Sequence, residues 1–355
     1  MNFQSVAERK GEGGRGEESS SHGRSMKSIF GGLKNAILGR PVLAIFEVTL
    51  RCNSSCGYCN LPLNLGRYEM TREEIRRVFS GLYRDGLRLV FVQGGEPLLR
   101  LDLPDILEDL AAIGFHLTLI TNGTRLTQEL LARLAPLPLS LSISLDTLDR
   151  ERYRRIRGSD QLPRVLQGVE SAKEWPNPKY LTCIVSELNR DDVLDVVRFA
   201  RAQGFMPVVG AYHWDIDRYG KADPPLLYEK HAAAILFQQL LASKLLPHGY
   251  LRAYAQDTVK WLEGERLEPC DAGRYSIAID ASGNVAPCLA LKQAGNLLAH
   301  PLDEILARFD REAITSCSER SSCNMLCSRV VGSVLRHPLT ALRTPLHVKP
   351  LEMCP

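Results

Sequence analysis

Between about residues 43 and 213 the chain alternates six short apolar runs with amphipathic segments, and this rhythm restricts the fold more than any other feature. The runs are rich in β-branched and aromatic residues, as strands are. They are AIFEVT (44–49), RLVFV (88–92), HLTLI (116–120), LSLSIS (139–144), YLTCIV (180–185) and MPVVGAY (206–212). Strands that alternate with helices form parallel sheets with right-handed crossovers, so the pattern predicts an α/β fold. It leaves a doubly wound sheet and a barrel as alternatives.

The segments between these runs have helical spacing. The first helix is predicted to begin at Thr71, which forms a capping box with Glu74. Its apolar face carries Ile75, Val78, Phe79 and Leu82. A later helix is predicted to start near Asn189. Shorter helices are predicted over 103–113, 127–134 and 162–174.

The remainder of the chain divides into regions of different composition. The N-terminal residues are polar and rich in Gly, Ser and charge, which is typical of disorder. Near the C-terminus, YSIAIDASGNVAPC predicts a hairpin that turns at Asp280–Gly283. The predicted units are a disordered tail (1–26), a short helical lead-in (27–42), the α/β segment (43–225), connecting helices (226–265) and a small loop-rich C-terminal region (266–355).

Charge and hydropathy argue against several functions. The 44 Lys and Arg and 41 Asp and Glu are scattered, with a formal net charge of +3, so nucleic-acid binding is not expected. The N-terminus lacks a signal-peptide run, and no stretch of about 18 apolar residues occurs, so the expected location is cytoplasmic. The basic apolar stretches 27–38 and 328–349 leave membrane contact as an alternative to packing against the rest of the protein.

The ten cysteines point to metal or redox chemistry, because disulfides are rare in cytosolic proteins. Cys52, Cys56 and Cys59 lie in RCNSSCGYCN, directly after the first predicted strand. Thiolates in such a compact run can hold an iron–sulfur cluster. Three ligands leave one iron of a four-iron cluster open, whereas a zinc site would need a fourth Cys or His close by.

The pattern Cys-x3-Cys-x-aromatic-Cys, with Tyr58 as the aromatic residue, resembles the radical S-adenosylmethionine (SAM) superfamily. Three further motifs carry the resemblance: GGEPLL (94–99), TNGT (121–124) and SISLD (142–146). Each follows a predicted strand, at the edge where barrel enzymes build their active sites. The resemblance implies a partial (β/α)6 TIM-like barrel with a small, loop-rich C-terminal iron–sulfur region.

The same resemblance implies that the open iron of a [4Fe–4S] cluster binds the methionine part of SAM. Glycine lets the main chain approach a ligand, and Glu96 is placed to accept from the cationic amino group. Asn189 has helix capping as an alternative role. The expected SAM contacts are Tyr58, Gly94, Gly95, Glu96, Pro97, Asn122, Ser144, Asp146 and Asn189.

A second group of cysteines resembles the SPASM/twitch extension, which binds auxiliary [4Fe–4S] clusters. Its expected ligands are Cys270, Cys288, Cys317, Cys323, Cys327 and Cys354. The family pattern has a further cysteine where this chain has Ile314. The alternatives are therefore one auxiliary cluster, two clusters with one incompletely ligated, or a zinc site. Cys183, inside the fifth strand, is expected to be a small buried residue.

The resemblance implies a radical SAM oxidoreductase or maturase reduced by a flavodoxin or ferredoxin-type electron donor. Cleavage of SAM would give a 5′-deoxyadenosyl radical that removes a hydrogen atom from a peptide or cofactor precursor, and a separate protein could present the peptide. The alternatives are a small-molecule, lipid or sugar substrate, or a non-catalytic iron–sulfur scaffold or electron carrier. The candidate catalytic residues follow the sixth strand, where a surface loop is the alternative: His213, Asp215 and Tyr219.

Overall fold

A computed structural model of the chain describes residues 32–350, except 215, 217–219 and 346. One nine-stranded sheet runs through these residues in the order β6-β5-β4-β3-β2-β1-β7-β8-β9. Its first six strands are parallel, and each is paired with the next along the chain. The sheet is not closed, because β6 and β9 form its two edges. The predicted partial barrel is confirmed.

The six parallel strands lie within one or two residues of the predicted runs. They are β1 (Leu43–Thr49), β2 (Leu89–Gly94), β3 (His116–Thr121), β4 (Leu139–Ser144), β5 (Lys179–Val185) and β6 (Met206–Ala211). All seven residues of β1 are buried, as expected for a central strand covered on both faces. Its pairing with β2 shifts after Glu47, so that Thr49 lies opposite Gly94. This irregularity brings the two strand ends together where the cysteine loop begins.

Helices pack against the parallel strands. They are α1 (Arg72–Arg84), α2 (Leu103–Ile113), α3 (Gln128–Leu134), α4 (Arg150–Arg157), α5 (Leu162–Ser171) and α6 (Val193–Ala202), followed by α7 (Lys230–Ala242) and α8 (Tyr250–Leu262). The capping box predicted for α1 is present, since the Thr71 side chain accepts from the Glu74 amide and Glu74 accepts from the Thr71 amide. Helix α6 begins later than predicted, because residues 187–192 form a 3-10 turn. Helix α4 is absent from the sequence prediction.

The C-terminal region extends the same sheet. Strand β7 (Ser276–Ile279) pairs parallel to β1, and β8 (Asn284–Ala286) returns antiparallel through the predicted turn. Strand β9 (Gly295–Asn296) forms the edge. Four short helices follow: α9 (Leu302–Ala307), α10 (Arg311–Glu319), α11 (Leu326–Arg336) and α12 (Pro338–Leu342). The domain boundary drawn at residue 266 stays a prediction, and the sheet runs across it.

The predicted disordered tail (1–26) and the first residues of the predicted lead-in lie outside the described part of the chain. Residues 32–38 of the lead-in are helical. Among the described helices, none combines the length and apolar character needed to cross a lipid bilayer.

Candidate functional site

The loop that carries Cys52, Cys56 and Cys59 leaves the end of β1 and is fastened to the chain around α4. The Ser55 amide donates to the carbonyl of Arg157 at 3.1 Å, and the Gly57 amide donates to that of Ile156 at 3.0 Å. Asn53 joins the loop to the neighbouring strand ends, because its side-chain oxygen accepts from Asn122 Nδ2 at 2.7 Å. The loop conformation therefore depends on segments that lie far away in the sequence.

The three predicted cluster thiols lie together at one cavity of about 420 Å³. Burial, together with the neighbouring thiols of Cys56 and Cys52, raises the pKa of the Cys59 thiol to about 12. No three Cys, His, Asp or Glu among the described residues converge tightly enough to hold a single metal ion. The thiols instead line one side of the cavity. Three neighbouring thiols beside open space suit a cluster with a free coordination position.

The walls of this cavity come from the carboxyl ends of the parallel strands and from the C-terminal region. Tyr58, Gly94, Gly95, Asn122 and Ser144, all predicted SAM contacts, are among its lining residues. The lining also includes Tyr250 and Tyr254 of α8, and Met325, Leu326 and Cys327 of the C-terminal region. The predicted site and the predicted auxiliary-cluster region thus border one cavity.

Glu96 lies behind the cavity wall. Its side chain is 1% exposed and accepts from Thr121 Oγ1 at 2.6 Å, from the Asn122 amide at 2.7 Å and from the Leu98 amide at 3.0 Å. These bonds hold the ends of β2 and β3 together. Pro97 is buried next to it, and contact of either residue with SAM stays a prediction.

Gly94 and Gly95 are needed here for a reason other than ligand approach. Gly94 has a φ of +139°, and a Cβ atom at this position would lie 2.2 Å from the carbonyl oxygen of Thr49. A Cβ at Gly95 would lie 2.2 Å from the carbonyl oxygen of Arg51. Glycine therefore allows the chain after β2 to pass directly against the start of the cysteine loop.

A buried ion pair lies beside the cysteine loop. Arg157 Nε lies 2.7 Å from Asp146 Oδ2, with the two side chains 8% and 0% exposed. Asp146 also accepts from the Tyr58 hydroxyl at 2.9 Å and from the Ile184 amide at 2.9 Å. Because Arg157 lines the cavity and also bonds to Cys56, it places a positive charge beside the thiols. An anionic cluster or a carboxylate ligand would be stabilised there.

Sequence reasoning did not find Arg157. The residue belongs to α4, whose composition is dominated by charge, so it has little apolar periodicity. A signal was nevertheless available: Asp149 caps the helix at its N-terminus, and Gly158 ends it in the left-handed conformation.

Asn189 is fully buried and makes local bonds. Its side-chain oxygen accepts from the Ser186 amide at 2.7 Å, and its Nδ2 donates to the carbonyls of Asp146 and Ile184. This agrees with the capping alternative. Cys183, at 1% exposure, is the small buried residue that was predicted.

His213 is the one catalytic candidate within the described residues, since Asp215 and Tyr219 lie outside them. Its ring lines the cavity and packs against the ring of Trp261, with centroids 4.5 Å apart. Burial lowers the pKa of His213 to about 4, although a hydrogen bond to the backbone of Asn324 acts in the opposite direction. Nε2 is buried and has no hydrogen-bond partner among the described residues. The ring is therefore neutral at pH 7 and presents a nitrogen that can accept a hydrogen bond.

Five of the six C-terminal cysteines are described, and Cys354 lies outside the described residues. Cys270, Cys288, Cys317 and Cys323 are near enough to influence one another electrostatically. Thiols grouped in this way suit an iron–sulfur cluster.

Comparison with known proteins follows the same division of the chain. The sequence model of the radical SAM superfamily matches residues 46–200, and that of an iron–sulfur cluster-binding domain matches residues 270–329. A probable GTP 3′,8-cyclase of Methanothermobacter thermautotrophicus is 34% identical over 273 residues, which are 71% of this chain and 85% of the relative. A probable GTP 3′,8-cyclase of Pyrococcus abyssi is 38% identical over 166 residues, or 46% of this chain and 54% of that protein.

The match spans about half the length of the Pyrococcus relative and of several others like it. Among solved structures, Streptococcus suis SuiB bound to its precursor peptide SuiA has a TM-score of 0.64 at 15% identity. That alignment covers 92% of this chain and 79% of SuiB. Identity this low establishes a shared fold and nothing about the substrate.

Proposed function

The chain belongs to the radical SAM superfamily, and from that premise we propose that it is an enzyme that cleaves SAM reductively and removes a hydrogen atom from a small organic molecule. The family's cofactors are a SAM-binding [4Fe–4S] cluster, SAM, and an auxiliary cluster in the C-terminal iron–sulfur domain. One observation carries the proposal: a single cavity is lined by Cys52, Cys56 and Cys59 and also by Met325, Leu326 and Cys327 of the C-terminal region. Substrate and radical source can thus share one cavity that borders the C-terminal region.

The cofactors supply the radical chemistry when they are bound, because a reduced cluster and SAM together generate a 5′-deoxyadenosyl radical. The protein's own contribution is to bind and orient. Cys52, Cys56 and Cys59 offer three thiolates, and Arg157 balances negative charge beside them. Glu96 fixes the ends of β2 and β3 that form the cavity wall. This bracing keeps the reacting groups in one geometry, which lowers the entropic barrier.

Aromatic side chains pack together after the carboxyl end of β6 and limit the access of water to the cavity. Tyr212 contacts Tyr58 and Trp214, with ring centroids 5.9 and 5.5 Å apart, and Trp214 contacts Tyr228 at 5.0 Å. A radical that can remove hydrogen from carbon must be shielded from other hydrogen donors. These aromatic side chains would shield the radical.

The cavity supports a small-molecule substrate in preference to a peptide. Its volume of about 420 Å³ lies within the usual range of small-molecule sites, roughly 300–1,000 Å³. The wall formed by β4 and β5 carries the hydroxyl groups of Ser142, Thr182 and Tyr180, which suit hydroxyl, carbonyl or amide groups of a ligand. The relatives are named for a reaction on GTP, which is also a small molecule. A flavodoxin or ferredoxin-type protein would supply the electron.

Deuterium transfer tests both parts of the proposal. The reconstituted, reduced full-length protein is incubated without oxygen with SAM and one of three probes: GTP, a deuterated low-mass metabolite extract, or a deuterated peptide digest. We expect 5′-deoxyadenosine to acquire deuterium from the low-mass extract, or GTP to stimulate its formation. Transfer from the peptide digest alone would contradict the substrate class. A lack of any 5′-deoxyadenosine would contradict the enzymatic activity and favour a scaffold or electron carrier.

A further inference from the structure

We propose that the substrate occupies a chamber between β4, β5, β6 and α8, where Gly210 provides its space, and that this substrate is an uncharged molecule with hydroxyl, carbonyl or amide groups. The inner chamber is the part of the cavity lined by Ser142, Thr182, Gly210 and Tyr254. Because it names the substrate class for the same cavity, this inference rests on the proposed function. It goes beyond that function in excluding nucleotides such as GTP.

A glycine in the middle of a buried strand needs an explanation. Gly210 lies inside β6, all six residues of which are buried and pair in regular register with β5. It is not one of the glycines with a positive φ, so its backbone conformation is open to any residue. Glycine weakens a strand, and where it occurs inside one it often marks the close approach of a ligand.

Packing does not require glycine at this position either. A Cβ atom at Gly210 would lie 3.3 Å from Ile184 Cδ1 and 3.7 Å from the Tyr254 hydroxyl, and both atoms are the ends of side chains. Gly94 and Gly95 differ, because a Cβ at either would lie 2.2 Å from a backbone carbonyl oxygen. What glycine preserves at position 210 is therefore the open space of the inner chamber.

Hydroxyl groups supply the polar contacts around this space. Ser142 Oγ and Thr182 Oγ1 lie 2.8 Å apart, and their bond uses one of the two hydroxyl protons, so the other can be donated to a ligand. The Tyr254 hydroxyl, beside the space at Gly210, donates to the carbonyl of Asn324 at 2.7 Å, which leaves its oxygen to accept. The inner chamber thus offers a donor and an acceptor to a neutral polar molecule.

The lining provides little charge for an ionic substrate. Among the described residues that line the cavity, Arg157 is the one side chain with a fixed charge, and Asp146 already pairs with it. Arg157 also bonds to Cys56, at the cysteine loop. His213 is neutral at pH 7, because burial lowers its pKa to about 4. A phosphate or carboxylate in the inner chamber would lack a cation among these residues, and a buried charge is stable only when it is paired.

This substrate class differs from the molecule for which the relatives are named. Phosphate groups are bound by arginine, lysine or the amides of a helix N-terminus, and a triphosphate needs several such groups. Those relatives and this chain share the family, but the groups in a site, and not its fold, select the molecule that binds. A neutral chamber therefore implies a change of substrate within the same radical chemistry.

Fractionated deuterated metabolites test the substrate class. The low-mass extract is separated at pH 7 into molecules retained by an anion exchanger, molecules retained by a cation exchanger, and uncharged molecules retained by neither. Each fraction is incubated without oxygen with SAM, reductant and the reconstituted full-length protein. We expect deuterium to enter 5′-deoxyadenosine from the uncharged fraction. Transfer from a charged fraction alone, or stimulation by GTP, would refute the uncharged class while still supporting the proposed function.

Variants of Gly210 test the location of the site. Gly210→Leu fills the inner chamber, so transfer from the uncharged fraction should fall at least about tenfold, and Gly210→Ala, with one added methyl group, should cause a smaller loss. The matched control is Gly81→Leu on α1, where the nearest atom to an added Cβ is Arg84 Nη2 at 4.0 Å. It should keep full transfer. Full transfer in Gly210→Leu would overturn the location.

Binding is measured separately from the reaction. The uncharged fraction should raise the midpoint of thermal unfolding of the reconstituted protein, because a ligand that binds the folded state stabilises it. Gly210→Leu should abolish this shift and Gly81→Leu should keep it. A shift caused only by the anionic fraction and removed by Gly210→Leu would place an anion in the chamber and overturn the proposal, as would the absence of a shift with the uncharged fraction.

Iron content and far-ultraviolet circular dichroism verify the fold of each variant. Where Gly210→Leu is unfolded or loses iron, Thr182→Val takes its place, because it removes a hydroxyl group and keeps the shape of the side chain. It should reduce both the deuterium transfer and the thermal shift. Unchanged values in Thr182→Val would then refute the inner chamber as the substrate site.

Discussion

The loop with Cys52, Cys56 and Cys59 and the C-terminal group of Cys270, Cys288, Cys317 and Cys323 hold their cysteines in different ways. The first loop follows β1, the fully buried central strand, and backbone hydrogen bonds connect it to α4. The second is assembled from a hairpin, a turn at Ser321 and short helices, joined largely by serine side chains such as Ser318. One site is therefore organised by the sheet, whereas the other depends on loops.

The two regions also differ in whether they open onto the cavity. The first loop opens onto the cavity, with a dense polar network behind it that includes Asp146 and Arg157. Cys270, Cys288, Cys317 and Cys323 do not line the cavity, and the buried Arg329 acts electrostatically on Cys270. A site that opens onto the cavity can bind a reactant, whereas a site apart from the cavity is suited to electron transfer. The comparison can be tested from both sides.

The largest expected effect comes from removing the ligands of the first region alone. In the Cys52→Ala, Cys56→Ala, Cys59→Ala protein, formation of 5′-deoxyadenosine should fall to background, measured by liquid chromatography after reduction with dithionite. Iron should fall by about four per chain, because only the SAM-binding cluster is lost. Cys183→Ala should keep both values. Persistent 5′-deoxyadenosine in the triple variant would break the distinction between the two regions.

The next effect concerns the buried ion pair of the first region. Arg157→Met leaves Asp146 buried without its cation, which should lower the free energy of unfolding by about 3–5 kcal/mol in urea denaturation. The matched control is Arg154→Ala on the same helix, whose pair with Glu151 is exposed, so its loss should leave the free energy of unfolding nearly unchanged. Equal losses in the two variants would show that the polar network does not stabilise this region.

A pH effect is expected at His213, on the cavity wall between the two regions. Its pKa in the folded protein is about 4 and its ordinary value is 6.5, so the unfolded chain binds the proton more tightly. The stabilising contribution is therefore complete above pH 6.5 and declines as the pH falls towards 4. At pH 5 it should be smaller by about 2 kcal/mol.

Urea denaturation of the wild-type protein and of His213→Gln at pH 7 and pH 5 measures this contribution. The wild-type protein should lose about 2 kcal/mol more than the variant between the two pH values. The same dependence in both proteins would exclude His213 as its source.

The smallest effect is expected at the start of α1. Thr71→Ala removes the side-chain half of the capping box of α1, which should cost about 1 kcal/mol of stability. Iron content and 5′-deoxyadenosine formation should remain unchanged, because the helix start touches neither thiol group. A loss of iron in this variant would mean that general destabilisation, and not ligand chemistry, controls cluster content.

Much of the fold could be predicted because it depends on short-range patterns. The six strands and the buried face of α1 follow from apolar periodicity, which reflects burial within a few residues of each position. Helix α4 was missed because its charged composition obscures that periodicity. The extension of the sheet by β7 was also missed, since no local signal shows that Ser276 pairs beside Leu43.

The site was predicted only in part, because sequence motifs report on short-range patterns. Sequence motifs identified the residues near the cavity, but not the side of the wall on which each lies. Tyr58, Asn122 and Ser144 line the cavity, whereas the carboxylates of Glu96 and Asp146 point into a network behind it. That difference is set by hydrogen bonds between segments tens of residues apart, which spacing along the chain does not encode.

The sequence by itself determined the family, the parallel α/β core and the two groups of cysteines, because each of these features depends on residue types at short, fixed spacing. Only the tertiary structure decided that Cys327 lines the same cavity as Cys52, Cys56 and Cys59, and that Arg157 lies beside Cys56. These relations arise from packing between distant segments, where burial and charge pairing select one arrangement from many that the local sequence permits.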